Sequence, residues 1–239
     1  MENPYGNKTV IRQGHGQATQ LDSGLRSYMQ SVFNLMALGL ALTGFIAFAA
    51  AQSPELVHIL YMTPLKWVVL LAPVGVVFYL SYQIQNLSQS TAQLLFWVYS
   101  GLMGLSLGTI FLLYTSQSIT RVFFITAAMF LSMSLYGYTT KKDLTSMGSF
   151  MIMGLFGIVI ASLVNIFLQS TGLQFVVSVL GVVIFTGLTA YDVQKIKDAY
   201  YSSAAGETIG KVAIMGALTL YLDFINLFMS LLRLFGDRR

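Results

Sequence analysis

The sequence predicts an all-α membrane protein, a seven-transmembrane helix bundle with the last helix central. Composition is the first reason: hydrophobic residues make up 56% of the 239 positions and charged residues 9%, with a mean hydropathy of +0.71. A soluble domain carries about 25% charge, so this chain has too little polar surface to be coated by water. Segmentation is the second. The apolar residues fall into seven runs, each approaching the roughly 20 residues a helix needs to cross a 30 Å hydrocarbon core. In lipid every backbone polar group must be satisfied within the segment, which helices do. The ~10-residue alternation of a membrane β-barrel is absent. The third reason is a single polar stripe on the last run, described below.

Met1 to Ser27 is rich in Gly, Gln and Asn and poor in large apolar residues, the composition of a flexible arm. It lacks the short apolar core and small-residue cleavage site of a signal peptide, so the first run reads as an uncleaved signal anchor. The runs then extend approximately over Ser31–Ala51, Trp67–Gln83, Leu94–Thr115, Val122–Tyr138, Phe150–Gln169, Leu173–Ala190 and Val212–Phe235. Their connections are short. The expected organisation is an arm over 1–27 and a single transmembrane domain over 28–239, with no soluble appendage to hold a separate active site. In the third run Gly101, Gly104 and Gly108 form a small-residue face suited to close helix packing.

Several function classes drop out. The chain has no cysteine, which excludes disulfides, thiolate metal sites and cysteine nucleophiles. The formal charge of +4 is spread singly or in pairs between apolar runs, so it is a topology signal and not a nucleic-acid footprint. His15 and His58 lack ligand spacing. Phosphate loops, nucleophile triads and zinc motifs are absent, as is a transporter-type repeat.

Lysine and arginine then orient the chain. With the N-terminus cytoplasmic, the inner segments hold Lys8, Arg12, Arg26, Lys141, Lys142, Lys195, Lys197 and Lys211, and the outer loops hold Lys66 and Arg121. That asymmetry fits the positive-inside rule. Arg233, Arg238 and Arg239 fall outside if the last run crosses fully. Either the last run crosses with its polar face buried by the others, or it re-enters and returns; a full crossing is expected, since the last helix enters a bundle that is already oriented.

Within the last run Thr219, Asp223, Asn226, Ser230 and Arg233 follow spacings of four, three, four and three, which lines them along one face of a helix. A polar stripe in lipid must face protein or water, so this helix belongs inside the bundle. Asn226 and Ser230 are candidates either for bonding neighbouring helices or for lining a path. Asp223 is a stronger functional candidate, because a carboxylate at the centre of a membrane helix costs roughly 2.5–3.5 kcal/mol on insertion scales. Asp192 lies at the end of the sixth run, with Thr189 three residues before it and Lys195 and Lys197 just after it. By itself it reads as a solvated helix end. Asp223 stands twelve residues past Lys211, about 18 Å along a helix at 1.5 Å per residue. The two aspartates therefore meet only if the seventh helix starts early, tilts, or lies beneath a water-filled vestibule.

Two segments, Gly187-Leu-Thr-Ala-Tyr-Asp-Val-Gln-Lys-Ile-Lys197 and Gly216-Ala-Leu-Thr-Leu-Tyr-Leu-Asp-Phe-Ile-Asn-Leu-Phe228, resemble motifs of the Bax inhibitor-1 family. Ser134-Leu-Tyr-Gly-Tyr-Thr-Thr-Lys-Lys-Asp-Leu144 is similar to its bacterial branch. The resemblance covers nearly everything from Leu25 to Arg239. It implies seven transmembrane helices with the last one central, a multi-pass protein of the cell inner membrane, and a pH-sensitive calcium leak channel. It also implies that Asp192 and Asp223 form a hydrogen-bonded pair near the cytoplasmic face, acting as the cation-binding and pH-sensing site, with Thr219, Asn226 and Ser230 as its supporting stripe. Relatives can carry an arginine in the second helix that latches the sixth-helix aspartate. The second run here has no arginine or lysine, and Lys66 lies at its outer end, so this run supplies no residue for such a latch.

Two carboxyls in hydrogen-bonding range cannot both ionise freely and titrate as a unit. Calcium takes six to eight oxygen ligands. Asp192, Asp223, Asn226, hydroxyls and water would form a weak, transient metal site, which suits passage more than storage. No cofactor is expected apart from calcium or another cation as the permeant ion. The expected partners are the lipid bilayer and, in the family's interaction role, a membrane ATP-dependent protease; nucleic acid is not among them. The alternative function is a non-conducting membrane regulator of stress responses or of such a protease. Aspartates on adjacent spans are also similar to intramembrane aspartyl proteases. Those carry Gly-x-Gly-Asp, where this chain has Leu220-Tyr-Leu-Asp223, so no enzymatic activity is expected.

Overall fold

In the computed structural model the described residues are 6–203 and 207–239, with side chains described over 23–203 and 208–239. The elements in order are α1 (Gly6–Gln52), a short α2 (Pro54–Val57) running into a π-helical turn at His58–Met62, α3 (Leu65–Gln83), α4 (Gln89–Leu113), α5 (Ser116–Thr139), α6 (Thr145–Leu168), α7 (Thr171–Ser202) and α8 (Glu207–Phe235). Seven are long and apolar enough to cross a membrane: α1 from Ser23, α3, α4, α5, α6, α7, and α8 from Thr208. This is the expected all-α bundle. The one extended pairing among the described residues is an isolated bridge between Tyr114 and Arg238.

The turns are short because polar residues start the next helix at once. Ser88, Thr115 and Ser170 each accept a backbone N–H three residues ahead, from Thr91, Ser118 and Leu173, at 3.2–3.3 Å. These bonds satisfy amide groups that a helix start leaves without partners. Gln169 closes α6 with φ of 49°, and Ser170 opens α7 directly after it.

Two boundaries differ from the sequence reading. Ser23–Ser27, assigned to the arm, belong to α1, and Leu25 within them is buried. The division expected between residues 27 and 28 therefore falls inside a bundle helix. Residues 1–5 of the arm, and the side chains of 6–22 with Lys8, Arg12 and His15, lie outside the described residues. The sixth span was expected to end at Ala190, yet α7 continues to Ser202 with Val193 and Ile196 buried. Asp192 thus sits inside a packed helix and not at a solvated end. The lysines that follow it made the segment look surface-bound; Lys197 instead donates to the Tyr138 carbonyl at 3.0 Å.

α8 is central. It packs against α1, α4, α5 and α7, and 61% of its most apolar stretch is buried, against 6% for α6. The buried side of α8 is anchored by Tyr221, whose hydroxyl donates to Thr43 Oγ1 at 2.7 Å while Thr43 donates to the Ser100 carbonyl at 2.8 Å. The glycine face of α4 works as the sequence suggested. Gly104 fits under Thr43 and Ile46, and Gly108 under Tyr61 and Ala47, so α1 and α4 run in close contact.

The last helix also runs the length of the bundle, as a full crossing requires. Beyond α8 the chain bonds to the α4–α5 turn: Arg239 N–H donates to the Leu113 carbonyl at 3.0 Å, and Thr115 N–H to the Asp237 carbonyl at 3.1 Å. Asp237 N–H donates to Ser118 Oγ at 2.9 Å. The tail therefore lies on the face opposite the start of the bundle, together with Lys66 and Arg121. Arg26, Lys141, Lys142, Lys197 and Lys211 lie on the other, lysine-rich face.

Candidate functional site

α6 rests chiefly on α7, and α7 in turn on α5 and α8. Because α6 stands off from α8, a cleft of about 610 Å³ opens between them with α7 as its floor. The side of α8 facing this cleft is its least buried one: Thr219, Leu222, Asn226 and Met229 line it and are half-buried, while the residues between them are buried. Thr219 and Asn226 of the predicted stripe lie on this half-buried face, Asp223 and Ser230 beside it are buried, and Arg233 at its end is exposed. All five members of the stripe, Thr219, Asp223, Asn226, Ser230 and Arg233, line the cleft, and Asp192 lines it from α7.

Asp192 and Asp223 meet there, their carboxyl groups within hydrogen-bonding range. The depth problem posed by the sequence is solved by extra helix on both strands of the pair. α7 runs ten residues past Asp192, and α8 begins sixteen before Asp223. Asp223 is only 5% exposed, and its Oδ2 accepts no hydrogen bond among the described residues. A buried carboxylate oxygen without a donor is costly, so this atom calls for a proton, a water or a cation. The nearby positive charge acting on Asp192 is Lys195, one turn along α7.

The other stripe residues do not bond neighbouring helices. Thr219 donates to the Met215 carbonyl at 3.0 Å, Asn226 Nδ2 to the Leu222 carbonyl at 2.8 Å, and Ser230 to the Asn226 carbonyl at 2.8 Å. Each spends a donor on the helix itself, which leaves the two hydroxyl oxygens, the Asn226 Oδ1 and its second Nδ2 hydrogen as polar groups available toward the cleft. Thr189, expected to share the face of Asp192, is buried and donates to the Phe185 carbonyl at 2.7 Å; it does not reach the site. Among the described residues no three acidic or histidine side chains cluster as a metal site.

Sequence reasoning missed the far wall. Ser162 on α6 lines the cleft, and Asn165 lies one turn further along in a connected recess. Their spacing of three in an otherwise apolar run was the available signal. Gln194 is another omission: it clamps the α5–α6 loop by donating to the Lys142 carbonyl at 2.8 Å and accepting Leu144 N–H at 2.9 Å. Two residues before it stands Asp192, so this clamp fixes the end of α7 that carries the site.

Fold and site together define a polytopic, all-helical membrane protein with two carboxyls, Asp223 buried and Asp192 half-buried, at a largely apolar cleft beside a central last helix. The chain belongs to the Bax inhibitor-1 family: a family model described as "Inhibitor of apoptosis-promoting Bax1" matches residues 25–239. It is 47% identical to the inner membrane protein YbhL of Escherichia coli K12 over 220 residues, 91% of this chain and 94% of that protein. It is also 50% identical over 218 residues to an uncharacterized protein of Rickettsia prowazekii, covering 91% of this chain and 92% of the relative.

Proposed function

We propose that the chain is a cation leak path of the bacterial inner membrane, with calcium as a permeant ion and the Asp192–Asp223 pair as its pH-sensing gate. The observation that carries this reading is the convergence of the two carboxyls in a cleft whose polar wall runs along α8 from Thr219 to Arg233. The lysine-rich face is then cytoplasmic, in keeping with the positive-inside rule. A location in the inner membrane is supported by the relative of that description.

The chemistry follows from the donors and acceptors present. Two facing carboxylates hold a proton between them or share a cation, since neither has a hydrogen to donate when ionised. A calcium ion wants six to eight oxygens. The pair offers two carboxyl groups, and Asn226 Oδ1, hydroxyl oxygens and water complete a loose shell. An incomplete shell lets the ion leave, as conduction requires. Protonation removes negative charge, weakening cation attraction, and alters the bridge that holds α7 to α8. These effects oppose one another, so the reading requires a pH response of either sign.

Calcium flux through the purified full-length chain in liposomes tests it. Flux that varies between about pH 5 and 8, the window of a perturbed carboxylate, and that loses this variation in Asp192→Asn/Asp223→Asn, is the expected result. A flat profile removes the sensing role. Absence of flux at every pH overturns conduction and favours a regulator that acts by binding other membrane proteins.

A further inference from the structure

At the tail face the cleft ends in a second group of polar side chains, remote from the aspartate pair. Arg233 of α8, Asn165 of α6 and Gln174 of α7 line a recess of about 300 Å³, which shares Ser162, Ile166, Val177 and Arg233 with the main cleft. The three converge because each stands two or three residues from a helix end at Phe235, Leu168 or Thr171. At 1.5 Å per residue they share a level within about 5 Å of those ends, where headgroups meet hydrocarbon.

Their donors are unspent. Among the described residues Arg233 makes no ion pair or hydrogen bond, and the ion pair on this face joins Arg121 to Asp237 instead. Asn165 uses its oxygen to accept Ser170 N–H at 2.9 Å, which leaves its Nδ2 hydrogens. The Gln174 side chain has no hydrogen-bond partner among the described residues. A guanidinium flanked by two amides at the start of α7 is a donor set for a phosphate-type oxyanion.

Just below this donor set the wall becomes apolar. Val159, Leu163 and Ile166 of α6 are 47%, 56% and 65% exposed, and the first two face the cleft with Ile166. α6 and α8 stand apart, so no packing between them closes the cleft along this side. A free anion would use the donors and leave the apolar channel unfilled. A partner helix would fill the channel and leave Arg233 without a counter-ion. An anionic head with a long apolar tail satisfies both.

We infer that this end of the cleft is a glycerophospholipid site, with the phosphate on Arg233, Asn165 and Gln174 and one acyl chain lying along α6. The site does not rest on the ion-passage reading, and a lipid seated there occupies the tail-face end of the same cleft.

Native mass spectrometry of the full-length chain, stripped of lipid in detergent and titrated with a diacyl phosphatidylglycerol, tests the assignment. A saturable single-lipid adduct is expected. Arg233→Gln should weaken it about ten-fold, the scale of one lost charge-assisted contact, whereas Lys66→Gln on the same face should not. Val159→Trp, which fills the apolar channel and leaves Arg233 intact, should weaken it several-fold. Equal adducts for the wild type and Arg233→Gln would overturn the site. Displacement of the lipid by glycerol 3-phosphate or inorganic phosphate at matching concentration would overturn the lipid assignment and leave an anion site.

Discussion

Gly137 on α5 lies directly against the backbone of Ala190 on α7, so close that a Cβ on residue 137 would meet the Ala190 carbonyl and Cα. The contact seats α7 two residues before Asp192. It therefore fixes where the sixth-span carboxyl enters the cleft.

Gly137→Ala is expected to push α7 off α5 and lower stability by about 1–3 kcal/mol, the usual cost of forcing atoms into a filled interior. Backbone cannot rotate away as a side chain end would. Gly157→Ala on α6 is the control, because nothing lies within 4 Å of its added Cβ. Thermal unfolding midpoints in detergent separate the two; equal midpoints would mean that α5 and α7 are not held at this point.

Asp223→Asn should change cation flux far more than Asn226→Ala or Ser230→Ala. Asp223 supplies charge in a buried setting, while the other two each spend a donor on α8 itself and present only dipoles. Calcium flux in liposomes gives the comparison. Comparable losses in all three variants would assign the stripe to packing.

Thr43→Val should cost more than Tyr221→Phe. In the first variant the Tyr221 hydroxyl stays behind, fully buried, without its partner at 2.7 Å, at roughly 1–3 kcal/mol. In the second, Thr43 keeps its bond to Ser100, and the loss is about 0.6 kcal/mol, typical of one interhelical bond in a membrane bundle. Unfolding in mixed micelles reads the order, and the reverse order would show that Tyr221 is not the group held by Thr43.

Asp143 precedes α6 on the lysine-rich face, where Thr145, through its hydroxyl and its backbone N–H at 2.8 Å, holds the carboxyl below the usual carboxylate range. A lowered folded value means that the ionised form is favoured by folding. The contribution of this contact is present above the unfolded value of about 3.9 and is lost as pH falls through the lower folded value. Amide protection in the first turn of α6, taken relative to the intrinsic exchange rate at each pH, should therefore fall below about pH 4. Asp143→Asn, which keeps an acceptor that cannot titrate, should remove that dependence, and an unchanged profile would place the titration elsewhere.

The seven spans, the central position of α8 and its cleft-facing stripe were all legible in the chain. The reason is that a bilayer is a slab of one thickness and one polarity, so hydropathy and helical period report on it residue by residue. The same local logic placed the glycine face of α4 correctly. It failed at Asp192, because the lysines beside it imitate a helix end; only packing shows that Val193 and Ile196 are buried and that α7 runs on to Ser202. Whether Asp192 and Asp223 meet depends on the lengths and tilts of two helices whose aspartates stand 31 residues apart. The cleft itself arises because α6 leans on α7 and stands off from α8. The unspent donors of Arg233, Asn165 and Gln174 come from three separate segments. These are relations between helices, set by which faces fit together in three dimensions, and no periodicity within one helix encodes them.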